Sequence, residues 1–310
     1  MTKNLNQKDF IPAVCIYRNL PRLAIILTLF LAPISNAQSN KSPGKSIFAA
    51  NRSAANALRV MRPSTPAPKI VGKAAIVIDA RTGKSLYAKR ADEKRPVAST
   101  QKLMTALLSL EKGHMNESVT VSKSDTWVEP SKIYIQSGQT YRKSDLIAVL
   151  LVRSGNDVAR CLARNHSGSQ EAFALAMTTR ARRLGMNNSN FKNPHGLTVK
   201  GQCSTARDMG MLARAAYYHR TIRSITRLKR LPFRFANGKK TTFNNTNKLL
   251  HRSKYCNGLK TGYTNASGRC LISSGKNGQK EIIVVILGST SSSIWNDSEK
   301  LLHWGLGIKS

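Results

Sequence analysis

Ser99 and Lys102 stand three residues apart in VASTQKLMTALLSLEKG, residues 97–113. Helical positions three apart share a face, so the lysine amine can fold back to the serine hydroxyl. Leu103, Met104, Ala106, Leu107, Leu108 and Leu110 cover nearly every side of the predicted helix, which should therefore be buried up to its stop at Gly113. Burial disfavours a charged lysine and lowers its pKa toward neutrality. A neutral amine beside a hydroxyl is a general base beside a nucleophile, and serine is a weak nucleophile until such a base activates it. The helix N-terminus adds partial positive charge where an anion would form. The plainer alternative is an N-capping serine followed by a lysine that reaches out to water. Spacing alone cannot choose, because Ser-x-x-Lys also begins at Ser42, Ser109, Ser189 and Ser273. Ser99 is distinguished by opening a predicted buried helix.

Two further stretches bear on the choice. Ser154-Gly155-Asn156 falls between helical segments, and Lys260-Thr261-Gly262 falls on a predicted strand; each occurs once. Taken singly, the first would shape a turn and Lys260 would protect a sheet edge. Arg81-Thr82-Gly83 looks like the second motif but reads as the turn of a hairpin. His195 and Trp127 are assigned to structure. The histidines show no HExxH and the cysteines no CxxC, so no metal or other cofactor is expected.

The secondary structure around these residues follows from periodicity. KAAIVIDA is an apolar strand and SLYAKR its return. From Ser99 to about Arg220 the pattern is mainly helical. Ser169 caps SQEAFALAMTTRARRLGM and Gly185 ends it, while Thr205 and Asp208 stand in capping-box spacing. CNGLKTGYT, RCLISSG and KEIIVVILGS then read as strands, and SSIWNDSEKLLHWGLG as a closing helix with Trp295, Leu301 and Leu302 at helical spacing. The fold class is α+β: an antiparallel sheet built from both chain ends, flanked by helices, with an inserted helical lobe and a cleft between the two.

Residues 1–37 combine Lys3, Lys8, Arg18 and Arg22, the apolar run LAIILTLFLAPI and a small-residue end at Ala37, the order of an export signal. Residues 38–70, rich in Ser, Ala, Asn and Pro, read as a flexible linker, leaving 71–310 as the folded domain. The whole chain carries a formal net charge of +35. The signal holds four basic residues and one acidic, so its removal leaves 46 Lys+Arg against 14 Asp+Glu. For an exported chain without an aromatic-basic motif, this excess points away from nucleic acid and toward anionic surfaces of the cell envelope. Cys161, Cys203, Cys256 and Cys270 remain after cleavage, and export would permit disulfides in any of three pairings. If 256–262 and 269–275 form a hairpin, Cys270 faces Thr261 rather than Cys256.

The ordered set Ser-x-x-Lys, Ser-x-Asn, Lys-Thr-Gly is similar to the signature of penicillin-binding proteins and serine β-lactamases. KAAIVIDARTGKSLYAKRADEKRPVASTQKLMTALL, QTYRKSDLIAVLLVRSGNDVARCLA, RARRLGMNNSNFKNPHGL, STARDMGMLAR, TNKLL and NGLKTGYTNASGRCLISS extend the likeness over about residues 71–307. They resemble the D-alanyl-D-alanine carboxypeptidases of the low-molecular-mass penicillin-binding protein family. That resemblance implies the β-lactamase/DD-peptidase fold, peptidoglycan stem peptides as substrate and β-lactam antibiotics as covalent inhibitors.

It also implies roles. Ser99 would attack the carbonyl between two terminal D-alanines and form an acyl-enzyme, with Lys102 accepting its proton. Ser154 would relay a proton toward the leaving D-alanine, and Asn156 would orient the substrate amide. Lys260 would disfavour a charge on Lys102 and attract the substrate carboxylate, which Thr261 would hydrogen-bond. Gly262 would let the substrate lie along the strand edge, and the N–H groups of Ser99 and Tyr263 would form the oxyanion hole. Some members continue into a β-rich domain and an amphipathic membrane-binding helix. This chain stops at WGLGIKS, so a periplasmic enzyme held by charge is expected. Alternatives are a DD-endopeptidase acting on cross-links and a noncatalytic penicillin-binding or wall-binding protein. A lactamase that uses a glutamate-held water is disfavoured, since no glutamate lies between Glu171 and Glu281.

Overall fold

The run AAIVID forms β1 (Ala74–Asp79), and all six of its residues are buried. A strand hidden on both sides needs cover on both, and its two-residue period assigns alternate side chains to each. The computed structural model describes residues 63–308, and supplies that cover with helices on either face. The signal segment and residues 38–62 of the linker lie outside the described residues. β1 turns through Thr82 and Gly83 into β2 (Ser85–Lys89). Asp79 closes the turn, its carboxylate accepting from the Thr82 N–H at 2.7 Å and hydroxyl at 2.9 Å.

Ala98–Gln101 makes one 3₁₀ turn before α1 (Lys102–Glu111). Ser99 thus lies on that turn rather than at an α-helical N-cap, and its side chain caps nothing. Every α1 residue except Glu111 is buried, as its apolar circumference requires. The short strands β3 (Ser118–Thr120) and β4 (Thr140–Arg142) pair with each other. Then come α2 (Lys143–Val152), α3 (Asn156–Ser167) and α4 (Gln170–Arg183). Ser169 caps α4, accepting from the Ala172 N–H at 3.1 Å, and Gly185 just past its end takes φ +81°. Thr205 caps α5 (Ala206–Tyr218) through the Asp208 N–H at 3.0 Å, and α6 (Arg220–Thr226) follows.

A hairpin of β5 (Arg230–Arg234) and β6 (Lys240–Asn244) has no counterpart in the sequence reading. Its inward residues Phe233 and Phe243 join Tyr141 and Phe235 in an aromatic cluster, with Phe233 to Tyr141 ring centroids 5.8 Å apart. A four-residue helix, α7 (Leu249–Arg252), leads to β7 (Cys256–Thr264), β8 (Gly268–Asn277), β9 (Lys280–Ser289) and α8 (Ile294–Leu306).

The main sheet has the order β2-β1-β9-β8-β7, antiparallel throughout. Both chain ends therefore build it, because β1 pairs with β9 from Ala74↔Leu287 to Asp79↔Ile282. Ile76, Ile78, Ile272, Ile283 and Val285 face the helical lobe, while Val77, Leu271, Ile282, Val284 and Ile286 pack under Ile294, Leu301, Leu302 and Leu306 of α8. Each such fully buried side chain contributes about 1.5–3 kcal/mol.

Two expectations change. The end of the predicted linker is a packed strap: Trp304 Nε1 donates to the Thr65 carbonyl at 2.8 Å, and Ile70 packs with the α8 cluster. The Val71 and Gly72 N–H groups then donate to the Asp297 carboxylate. In the hairpin of β7 and β8, Cys270 faces Gly262, Thr261 faces Leu271, and Cys256 faces Gly275. An irregularity between Cys256 and Gly258 is part of this register, and none of the four described cysteines is in a disulfide. Among the described residues no helix is long and apolar enough to cross a membrane.

Candidate active site

The three motifs arrive from three elements. The 3₁₀ turn and α1 carry Ser99 and Lys102, the bend after α2 carries Ser154, the first residue of α3 is Asn156, and β7 carries Lys260 through Tyr263. Lys102 is fully buried, and its Nζ lies 2.7 Å from Ser99 Oγ, 2.6 Å from Asn156 Oδ1 and 2.8 Å from the His195 carbonyl. Two of these partners only accept. A neutral amine has two N–H bonds and one lone pair, so donating to Asn156 and His195 leaves the lone pair for the Ser99 hydroxyl. Asn156 is itself fixed, since its Nδ2 donates to the Pro130 carbonyl at 2.6 Å and so turns Oδ1 toward the lysine. Its amide, predicted to face substrate, is 2% exposed and engaged with Lys102 and Pro130.

Burial, and then the charge of Lys260, hold the Lys102 amine well below the ordinary lysine value, against an upward pull from Asp157. Lys260 is also buried, donates to Ser154 Oγ at 2.9 Å and to the Thr261 carbonyl at 3.2 Å, and is brought down by burial to about 7. Ser154 holds φ +73° and Ala98, just before Ser99, φ +48°. Left-handed backbone at non-glycine residues is costly and collects where geometry must be exact to function. The Thr261 hydroxyl donates to Thr246 Oγ1 at 2.7 Å. Gly262 lies flat against the turn: a Cβ there would stand 2.9 Å from Ser99 N and 3.0 Å from both Ala98 Cβ and Thr100 N.

These residues open on a cleft of about 500 Å³ lined by Ser99, Ser131, Ser154, Thr246, Thr261, Gly262 and Tyr263. Arg153, Lys248 and Arg269 supply its charged lining, with no carboxylate among the lining residues. Arg269 stacks its guanidinium 4.3 Å from the centre of the half-exposed Tyr263 ring. Such a pocket suits a ligand ending in a carboxylate.

Three contributors escaped the sequence reading. The His195 carbonyl accepts from Lys102 and also lies 3.3 Å from Ser99 Oγ, so this residue serves the site through its backbone. Its imidazole is buried and pushed down to about 3, first by burial and then by Lys102, and stays neutral. Asn193 shapes that loop, its Oδ1 accepting from the Gly196 N–H at 2.7 Å; the Asn-Pro-x-Gly turn pattern was the available signal. Buried Asp157 accepts N–H bonds from Ile133, Tyr134, Ile135 and Val158, and so pins the loop that brings Ser131 to the cleft. Trp127 fills no core position, being 65% exposed.

The family profile described as D-alanyl-D-alanine carboxypeptidase matches residues 60–291. Among curated proteins, D-alanyl-D-alanine carboxypeptidase DacF of Bacillus subtilis is 34% identical over 224 residues, 71% of this chain and 58% of that protein. DacC of Escherichia coli is 35% identical over 260 residues, 77% of this chain and 62% of that protein. The chain thus spans about three fifths of these relatives. A D-alanyl-D-alanine endopeptidase of Escherichia coli is 32% identical over 243 residues, 76% of this chain and 78% of that protein. Among solved structures, a D-alanyl-D-alanine carboxypeptidase of Mycobacterium tuberculosis superposes with TM-score 0.75 at 28% identity, covering 80% of this chain and 97% of that one. A Streptomyces DD-transpeptidase gives TM-score 0.74 at 27% identity, covering 79% of this chain and all of the other.

Proposed function

This chain belongs to the D-alanyl-D-alanine carboxypeptidase family, and from that premise we propose that it removes the terminal D-alanine from peptidoglycan stem peptides through an acyl-enzyme on Ser99. The observation that carries the reading is the buried Lys102 amine 2.7 Å from the Ser99 hydroxyl, with its other two partners able only to accept.

In this mechanism Ser99 Oγ bonds to the carbonyl carbon of the penultimate D-alanine as its proton passes to Lys102 Nζ. The N–H groups of Ser99 and Tyr263 stabilise the oxyanion. Collapse breaks the C–N bond, and the departing amine takes a proton by way of Ser154, which Lys260 holds in place. Lys260, Thr261 and Arg269 receive the substrate carboxylate, and water then releases the acyl group. Asn156 acts first by orienting Lys102. β-Lactams would acylate the same serine.

We also take residues 1–37 as an export signal and the segment from residue 38 to the strap that begins at Thr65 as a linker, placing the domain in the periplasm or cell envelope, where its net positive charge favours anionic surroundings. The test is a digest of pentapeptide and cross-linked muropeptides with Ser99→Ala as control. Loss of one alanine from pentapeptides, absent in the variant, is expected; intact pentapeptides with the wild-type protein refute the reading. Cleavage of cross-links instead would identify a DD-endopeptidase, the second reading, favoured by the likeness to the endopeptidase over 78% of its length.

A further inference from the structure

Between Asp208 and Glu281 the sequence holds sixteen Lys and Arg and no Asp or Glu. The structure gathers six of these cations on and beside one hairpin. Arg230 and Arg234 point outward from β5 and Lys240 from β6, because their neighbours Leu231, Phe233, Thr241 and Phe243 turn toward the protein. Arg227 and Lys229 precede the hairpin and Lys239 closes its turn; all six are exposed, and among the described residues none forms an ion pair. Elsewhere in the stretch, Arg252 is paired with Glu299 and Lys276 with Glu281. Six of the fourteen cations of this stretch that form no ion pair among the described residues thus sit together on and beside one hairpin.

The hairpin continues into the cleft. β6 runs directly to Thr246, which accepts from the Thr261 hydroxyl, and Arg153, next to Ser154, lays its guanidinium 5.9 Å from the Phe243 ring centre of β6. From Thr246 to Lys240 an extended chain reaches up to about 20 Å. Charge is screened over about 8 Å at physiological ionic strength, so cations at the far end barely act on a dipeptide tail lying in the cleft. They act on whatever anion touches them.

We propose that the outer face of this hairpin docks neighbouring stem peptides of the same glycan polymer, whose repeated terminal carboxylates match its row of cations. This rests on the peptidoglycan reading above. The protein would then favour polymeric substrate over a short soluble peptide carrying the same scissile bond. An anionic lipid surface is the rival partner. Continuity with the cleft favours the polymer, and Leu228 is the one large apolar residue exposed beside the cations.

The test compares wild-type protein with the triple variant Arg234→Glu, Lys239→Glu, Lys240→Glu, all at the end of the hairpin far from the cleft, and with the corresponding triple Gln variant in case charge reversal disturbs folding. D-Ala release is measured from insoluble peptidoglycan and from a soluble peptide ending in D-Ala-D-Ala. Release from the polymer should fall at least about tenfold in the Glu variant, within the range by which charge steering changes association, while the soluble peptide is cleaved as before. Raising salt from about 0.05 M to about 0.5 M should erase most of the wild-type advantage. Equal losses on both substrates, or no loss on either, would overturn the proposal. Cosedimentation with insoluble peptidoglycan, using Ser99→Ala proteins with and without the triple change, reads docking without turnover. Should the wild type release no D-Ala from any substrate, the reaction reading fails, and this binding assay still decides the hairpin's role. Vesicles of phosphatidylglycerol and phosphatidylcholine provide the last arm: dependence on the three cations there, without dependence on peptidoglycan, would assign the face to lipid and overturn the proposal.

Discussion

Gly262→Ala asks whether the strand edge and the turn that carries Ser99 are held at a working distance. The added methyl would stand 2.9 Å from Ser99 N and 3.0 Å from Ala98 Cβ and Thr100 N. Two of these three atoms are backbone, so no side-chain rotation relieves the contact. Non-bonded heavy atoms settle at about 3.5–4.0 Å, so the turn must retreat from β7 by about 0.5–1 Å. Overpacking of this kind costs about 1–3 kcal/mol of stability, which a domain with 5–15 kcal/mol in reserve survives folded. Catalysis is less tolerant, because the retreat carries Ser99 N and Oγ away from the strand proposed to supply the other oxyanion donor. A displacement near 1 Å costs about 10²-fold in rate, or about 2.7 kcal/mol of barrier. The assay is the rate of Ser99 acylation by a β-lactam, followed by intact-protein mass spectrometry, alongside urea unfolding. Acylation should slow about a hundredfold while unfolding remains cooperative. A folded Gly262→Ala protein that acylates at the wild-type rate would refute the claim that this contact sets the geometry.

Other consequences concern charge and support. In kcat/KM, which reports the free enzyme, activity should rise as Lys102 loses its proton and fall as Lys260 loses its own near pH 7. Lys260→Arg keeps its cation and should abolish the alkaline fall, so persistence of that limb would point to another group. Lys260 also affects stability: between about pH 7 and the ordinary lysine value near 10.4, the unfolded chain binds a proton that the native state lacks. Stability due to this residue therefore rises with pH across that window, and the urea midpoint of Lys260→Met should show a weaker rise than the wild type. Asp157→Asn puts an N–H₂ group among four backbone donors, and should cost about 1–3 kcal/mol in urea unfolding and speed amide exchange at Tyr134; unchanged protection there would contradict the pinning role. Protein lacking residues 1–37 should show one readily titrated thiol, the partly exposed Cys203, and three more after unfolding, whereas loss of thermal stability on reduction would reveal a disulfide.

Much of this was legible in contiguous residues. Caps at Ser169 and Thr205, the all-round apolar face of α1 and the strands at both chain ends depend on near neighbours, and the period of the side chains exposes them. The three motifs were equally plain, because each is a short run whose order along the chain survives without coordinates. The β5/β6 hairpin was not, since Pro232 and the alternating cations obscure its strand pattern and only the aromatic cluster with Tyr141 gives its inner face a purpose. Nor was the strap at residues 65–72, whose composition says linker until α8 offers Trp304 and Asp297 as partners.

The chain order of amino acids determined which side chains were available for the chemistry; tertiary contact decided which of them meet. His195 contributes a carbonyl, a group every residue possesses, so no sequence pattern could single it out before the loop folded against Lys102. The Ser-x-Asn motif puts Asn156 beside Ser154, but only the Pro130 carbonyl settles which way its amide faces. The lowering of the Lys102 pKa has the same origin, because desolvation depends on everything packed around the amine, and residues as distant in the chain as 102 and 260 must first be buried within reach of each other's charge.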